Sequence, residues 1–205
     1  MKISYAITVC NELEEIKKLL PLLKDNIQPQ DEIVVLWDST NGSEEVWDYL
    51  ENEDDYFSLH PGEFKGHFAD WKNELTSKCY GDYIFQIDAD ELPNKILLQQ
   101  LPEILTSNQN IDIMLVPREN YVVGLTDEHI KKWGWQLDEQ NRINWPDLQW
   151  RIYRNTAKIQ WVNKVHEKLE GFDIYTHLPI LPEFSLLHLK DIEKQEKQNN
   201  YYDTL

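Results

Sequence analysis

Three carboxylates in four residues, Asp88-Ala89-Asp90-Glu91, follow directly on the hydrophobic run Tyr83-Ile84-Phe85-Gln86-Ile87. Hard oxygen donors gathered at the carboxyl end of a buried strand are placed to hold a divalent cation, because open α/β sheets take their ligands there. The ordinary alternative is a solvated turn leading into the next helix. The charge of the whole chain bears on the choice: 20 Lys and Arg stand against 37 Asp and Glu, a formal net charge of −17. So acidic a protein repels a phosphate backbone, which argues against sequence-independent binding of nucleic acid. It can hold a phosphorylated small molecule if a cation such as Mn²⁺ or Mg²⁺ inverts the local field.

Such carboxylates need a scaffold, and hydrophobic periodicity predicts one. Residues 3–9 are apolar and β-rich. Leu13, Ile16, Leu19, Leu20 and Leu23 recur at helical spacing over 13–24, and residues 32–37 contain Ile33-Val34-Val35-Leu36, so 3–37 reads as a βαβ unit. A helix over 43–50 follows, with Ser43 as N-cap and Glu44 and Glu45 in its first turn. A short strand at 56–59, a helix over 68–79, the strand 83–87, a helix over 95–105 and a strand at 111–116 continue the alternation. This rhythm predicts an α/β fold with a mostly parallel sheet flanked by helices. From Pro117 the pattern changes to a polar, Trp-containing stretch as far as Pro146. Strand-like pieces at 148–153, 158–162 and 184–187 come next, then a polar helix over 191–202. At 205 residues the chain is long enough for one full core and short for two. No run approaches the ~18 apolar residues of a spanning helix. The N-terminus reads as a strand instead of a secretion signal, and the two cysteines, Cys10 and Cys79, form no Cys-x-x-Cys motif. A soluble protein of the reducing cytoplasm, without a transmembrane segment, is the expectation.

Further segments occur in a telling order. Ile7-Thr8-Val9-Cys10-Asn11-Glu12 closes the first strand; Val34-Val35-Leu36-Trp37-Asp38-Ser39-Thr40-Asn41-Gly42-Ser43 closes the second. Phe68-Ala69-Asp70-Trp71-Lys72-Asn73-Glu74-Leu75 leads to Gly81-Asp82-Tyr83 and the Asp-x-Asp. Pro146-Asp147-Leu148-Gln149-Trp150-Arg151-Ile152-Tyr153-Arg154-Asn155 and Val165-His166-Glu167 lie downstream. In this order the segments resemble the inverting GT-A glycosyltransferases of sequence family two, in particular their short bacterial and viral-type members. Lys72 stands where Arg is more usual, and the common Glu-Asp base motif is absent. The resemblance implies one Rossmann-like GT-A domain over 1–205, with a nucleotide-sugar-binding half at 1–116. Residues 117–205 would form a smaller acceptor-binding half and C-terminal helix. By the same resemblance Thr8 and Asn11 line the nucleotide pocket, Asp38 accepts hydrogen bonds from the base, and Lys72 lies near base or phosphate. Asp88 would contact the donor and, with Asp90, the cation, with His188 or His166 as third metal ligand.

The expected reaction is metal-dependent transfer of a sugar from a nucleotide diphosphate sugar, UDP-sugar favoured, to the hydroxyl of a glycan, lipid-linked or protein acceptor. Inversion requires a carboxylate on the face opposite the leaving diphosphate. Glu167 is the first candidate for that base and Asp147 the second. Trp133, Trp135, Trp145, Trp150 and Trp161 all lie in the second half, where indole faces can stack on sugars or fill the core. Residues 124–135 are a candidate mobile cover. Two other readings stay open: a nucleotidyltransferase, which lacks support from any Gly-rich phosphate loop after the first strand, and a non-catalytic nucleotide- or carbohydrate-binding protein.

Overall fold

The computed structural model describes residues 1–53 and 55–202, the last five of these as backbone. β1 (Ile3–Val9), β2 (Glu32–Asp38) and β4 (Tyr83–Asp88) are buried along nearly their whole lengths, as parallel strands covered on both faces must be. With β3 (Ser58–Gly62) they form the parallel part of a nine-stranded sheet. Strand alternation assigns their side chains to two cores. Tyr5, Ile7, Phe85 and Ile87 pack with α1 (Leu13–Asn26), α2 (Glu44–Asn52) and α4 (Lys95–Ser107). Ala6, Val34, Leu36 and Ile84 pack on the other face with Ala69, Trp71 and Leu75 of α3 (Phe68–Thr76). Thr8 and Asp88, which are register partners, continue this even-numbered series at the strand ends. They therefore emerge on the side of α3, where Asp88 lies within reach of Lys72.

The other half of the sheet runs β4-β7-β6-β11-β5, comprising β5 (Glu91–Pro93), β6 (Ile113–Val123), β7 (Ile143–Arg154) and β11 (Leu186–Asp191). β7 is antiparallel to both neighbours, and β10 (Tyr175–His177) pairs with the start of β6. Here the sequence expectations need correction. Pro117 is no break: β6 continues through it to Val123, and β7 begins at Ile143, before Pro146. The missed strand residues include Arg118, Asn120 and Asp147, whose side chains line a cavity; polarity that looked like loop is the lining of a site. The strand expected at 184–187 starts later, at Leu186, after a 3₁₀ turn at Pro182–Phe184, and runs on as β11 to Asp191. The strand expected at 56–59 lies at Ser58–Gly62, and the helix expected over 68–79 stops at Thr76. Ser43 occupies the N-cap of α2 but makes no capping hydrogen bond.

Between β6 and β7 stands α5 (Asp127–Trp133), capped by Thr126 and ended by left-handed Gly134. β8 (Gln160–Val162) and β9 (Lys168–Glu170) form a separate hairpin, and α6 (Ile192–Tyr202) closes the described chain. Among the described residues no helix is long and apolar enough to cross a membrane.

Candidate active site

A cavity of about 840 Å³ opens over the carboxyl ends of β1, β2 and β4, and its far wall is built by β6, β7 and β11. Thr8, Asp38, Lys72, Asp88 and Asp90 line it, as do Asp147, His166, Glu167 and His188. Asn11 does not: its side chain is exposed, and the turn is held instead by Glu12, whose Oε2 accepts from the backbone N–H groups of Cys10 (2.8 Å) and Asn11 (3.0 Å). The Cys10 thiol beside it is pushed up to about 12, first by burial and then by the charges of Glu12 and Asp38, so it stays protonated.

The three carboxylates between the end of β4 and the start of β5 have separate fates. Glu91 is fully buried and anchors two arginines: it accepts from Arg118 Nη1 (2.9 Å) and from Arg151 Nε (3.0 Å) and Nη2 (2.6 Å). Asp88 turns its Oδ2 to Arg151 Nη2 at 2.5 Å, with Lys72 Nζ 3.7 Å from Oδ1. Burial pushes the Asp88 carboxyl up, but the charges of Arg151 and Lys72 prevail and hold it at about 2. Its folded value is thus depressed below the ordinary 3.8, so the unfolded chain binds its proton first. Asp88 should contribute stability that is complete above about pH 4 and lost as pH falls towards 2. In urea unfolding between those two pH values, Asp88→Asn should lose less stability than the wild type; an equal loss would show that Asp88 is not a source of this dependence.

Asp90 meets the far wall. β5 pairs antiparallel with β11, His188 opposite Glu91, which brings Asp90 Oδ2 to 3.4 Å from His188 Nε2, 3.3 Å from Lys190 Nζ and 3.9 Å from Lys194 Nζ. Burial opposes ionisation of Asp90, but the hydrogen bond from His188 and the charge of Lys190 outweigh it and hold the carboxyl far below the ordinary range. His188 is oriented by a relay. Asp147 Oδ2 accepts from Asn120 Nδ2 (2.8 Å), which leaves Asn120 Oδ1 facing His188 Nδ1 (2.7 Å). A carboxylate only accepts, so the amide orientation follows, and with it the proton on Nδ1. Nε2 is then the nitrogen that can share a proton or a cation with Asp90, the arrangement expected of a metal-binding histidine supported from behind.

The two candidate bases differ in their surroundings. Asp147 has both oxygens engaged: Oδ2 by Arg118 Nε (2.9 Å), Arg118 Nη2 (2.8 Å) and Asn120, and Oδ1 by Gln149 Nε2 (2.6 Å). Burial pushes its carboxyl up, yet the charge of Arg118 and these hydrogen bonds hold it below the ordinary range. Glu167 is half-buried, and its Oε1 accepts from Lys72 Nζ at 2.5 Å. That ammonium also stands 4.7 Å from the Trp161 ring centroid, so it is fixed from three sides. Asp38 is buried and ties its own turn. Its Oδ1 accepts from the N–H groups of Thr40 (3.0 Å) and Asn41 (3.3 Å), and its Oδ2 from Asn41 Nδ2 (2.8 Å). His166 lines the cavity from an exposed position with φ of 53°. Among the described residues, no three of His, Cys, Asp and Glu gather as a metal cage.

The sequence model of glycosyl transferase family 2 matches residues 4–171. The chain belongs to that family. Its fold is also that of S. aureus TarS. The 1–349 fragment of that protein aligns at 16% identity and a TM-score of 0.60, covering 92% of this chain and 60% of the fragment. The same fragment in complex with UDP-GlcNAc aligns at 15% identity and a TM-score of 0.61, covering 93% of this chain and 59% of that one. In complex with UDP the values are 15%, 0.60, 92% and 60%. The chain thus spans about 60% of the length of the fragment, and 37% of a longer TarS chain. No curated protein sequence matches it. In this family 2 chain, sequence reasoning missed the parts played by Glu91, Arg118, Asn120, Lys190 and Lys194. The available signal was alternation: Arg118 and Asn120, Asp147, Gln149 and Arg151, and His188 and Lys190 each recur at every second position.

Proposed function

We propose that this chain is a glycosyltransferase that moves a sugar from a nucleotide diphosphate sugar, UDP-sugar favoured, to an acceptor hydroxyl with inversion. The observation that carries this reading is Lys72. One ammonium contacts both Glu167 and Asp88, so a carboxylate base and the Asp-x-Asp segment share one cavity in a family 2 chain.

Asp90 and His188 fit a divalent cation as a two-donor set, a carboxylate oxygen and an imidazole nitrogen oriented by Asn120. Mn²⁺ or Mg²⁺ held there would offset the negative charge that develops on the leaving diphosphate. Asp88, held by Arg151 and Lys72, is suited to a donor hydroxyl, while Thr8 and Asp38 line the side of the cavity proposed for the nucleoside. Glu167 would take the acceptor's proton as its oxygen attacks the anomeric carbon. Trp135, Trp150 and Tyr121 also line the cavity and would offer aromatic faces to the acceptor, whether a glycan, a lipid-linked sugar or a protein. The strand-end turn speaks against a nucleotidyltransferase, since Glu12 already occupies the Cys10 and Asn11 N–H groups that a phosphate-binding loop would present. The two free cysteines suit the cytoplasmic setting proposed for it.

Thermal-shift titration with UDP, GDP, CDP and TDP tests the reading, because a ligand of the native state raises its apparent stability. We expect UDP to bind at least about tenfold more weakly in EDTA, ~1.4 kcal/mol, and Asp90→Asn to remove the response to Mn²⁺ without loss of fold. UDP binding indifferent to EDTA and to Asp90→Asn would sink the cation. Incubation with nucleotide sugars and Mn²⁺ separates enzyme from binding module: saturable binding with no release of nucleoside diphosphate would favour the latter.

A further inference from the structure

The β8–β9 hairpin that presents Glu167 is a sheet of its own, so the register of the main sheet does not place it. Val162 and Lys168 are its last paired residues, and Glu167 lies in the connection between them. Two residues of that connection, Asn163 and His166, have φ of 79° and 53°. Left-handed backbone away from glycine costs stability and persists only where the surroundings over-determine it, and such residues cluster at functional sites. Other elements must hold this hairpin.

The holding element is α3. The carboxamide of Asn73 makes two hydrogen bonds with the backbone of one residue: Nδ2 donates to the Trp161 carbonyl and Oδ1 accepts from the Trp161 N–H, each at 2.9 Å. The N–H and C=O of a strand residue point to the same side, so Asn73 takes the place of a third strand on the outer edge of β8. The indole is tied as well. Thr76 Oγ1 gives its single proton to the Lys72 carbonyl (2.8 Å), so the Tyr153 hydroxyl donates to Thr76 (2.7 Å) while its oxygen accepts from Trp161 Nε1 (3.1 Å). At the start of α3 the Phe68 N–H donates to the Lys164 carbonyl, inside the connection itself, at 3.0 Å. Beside Asn73 stands Lys72, which joins Glu167 (2.5 Å) to Asp88 (3.7 Å). The seat of the hairpin on α3 therefore sets how far the base stands from the Asp-x-Asp segment.

We infer that Asn73 is a positioning residue, which holds the hairpin on α3 so that Glu167 meets the acceptor hydroxyl. The inference rests on the glycosyltransferase reading for the role of Glu167. A general base works only within hydrogen-bond reach of the proton it takes, and Lys72, a point charge on a flexible stem, does not by itself fix the direction of a carboxylate.

Two measurements on the whole chain test this. Hydrogen exchange read by mass spectrometry should be at least about tenfold faster over residues 163–167 in Asn73→Ala than in the wild type, with β1 and β4 unchanged. The second is a double-mutant cycle with Glu167→Gln, scored by UDP release from UDP-GlcNAc, UDP-glucose and UDP-galactose in Mn²⁺. Asn73→Ala should lower turnover about tenfold or more, while calorimetry shows UDP affinity within about twofold of wild type. In the Glu167→Gln background the same change should cost less than about twofold, because residues that act as a unit are not additive. A merely structural role would lower both backgrounds alike. Asn73→Asp keeps the acceptor for the Trp161 N–H and loses the donor; it should fall between, and it carries the test if Asn73→Ala fails to fold. Wild-type exchange over 163–167, or equal losses with and without Glu167, overturns the proposal and leaves the glycosyltransferase reading intact. A wild-type protein that releases UDP from none of the three donors overturns the reading of Glu167 as a base, and this proposal with it.

Discussion

Glu167→Gln is expected to lower turnover by about 10² to 10⁴-fold, with donor and cation affinity close to wild type. The amide keeps the size of the side chain and an oxygen for Lys72 Nζ, so the contact now at 2.5 Å can persist while the ability to take a proton is gone. Asp147→Asn is the control. Its carboxylate is saturated by Arg118, Asn120 and Gln149 and held below the ordinary range, which leaves it a weak base at best. It should lose less turnover but need more Mn²⁺, because Asn120 would no longer be oriented by a group that only accepts, and the proton on His188 Nδ1 would no longer be specified. Donor binding has to be measured beside turnover, since a collapsed cavity imitates a missing base. Near-normal turnover in Glu167→Gln with a large loss in Asp147→Asn would move the base to Asp147.

The second large effect concerns stability. Glu91→Ala should destabilise the fold by about 3–5 kcal/mol, the usual cost of removing one member of a buried ion pair. Glu91 is 0% exposed and stands between Arg118 and Arg151, and it also accepts from the backbone N–H of Asp88 at 3.2 Å. Its removal leaves two guanidinium groups with too few partners and frees the turn that presents Asp88 and Asp90. Glu91→Gln, which keeps the shape and some of the hydrogen bonds, should fall between. Urea unfolding reads the difference directly, and a Glu91→Ala midpoint equal to that of the wild type would show that this carboxylate does not anchor the site. Of the three acidic residues at the junction of β4 and β5, the one without an assigned role in transfer is thus expected to matter most for folding.

How much of this was legible beforehand differs between the two halves of the sheet. β1, β2 and β4 pack helices on both faces, so each needs an uninterrupted apolar run, and such runs stand out in the sequence whatever surrounds them. The carboxylates at the end of β4 were equally visible, because the strand that precedes them is so plainly buried. β6, β7 and β11 turn one face to the cavity, and there charged residues alternate with apolar ones. Judged by hydropathy alone, Pro117 to Pro146 looks like loop, and His188 and Lys190 look like the outside of a strand.

The sequence by itself determined the alternating α/β layout, the Asp-x-Asp at a strand end and the order of segments that marks the family. Only the tertiary structure decided which charges meet. Arg151 reaches Asp88 across 63 residues, Lys72 reaches Glu167 across 95, and Asn120 orients His188 across 68. Hydrophobic periodicity reports whether a residue faces the core, which is a local property of its own strand or helix. The partner of a buried charge depends on sheet order and register, and these are settled by the whole chain folding at once.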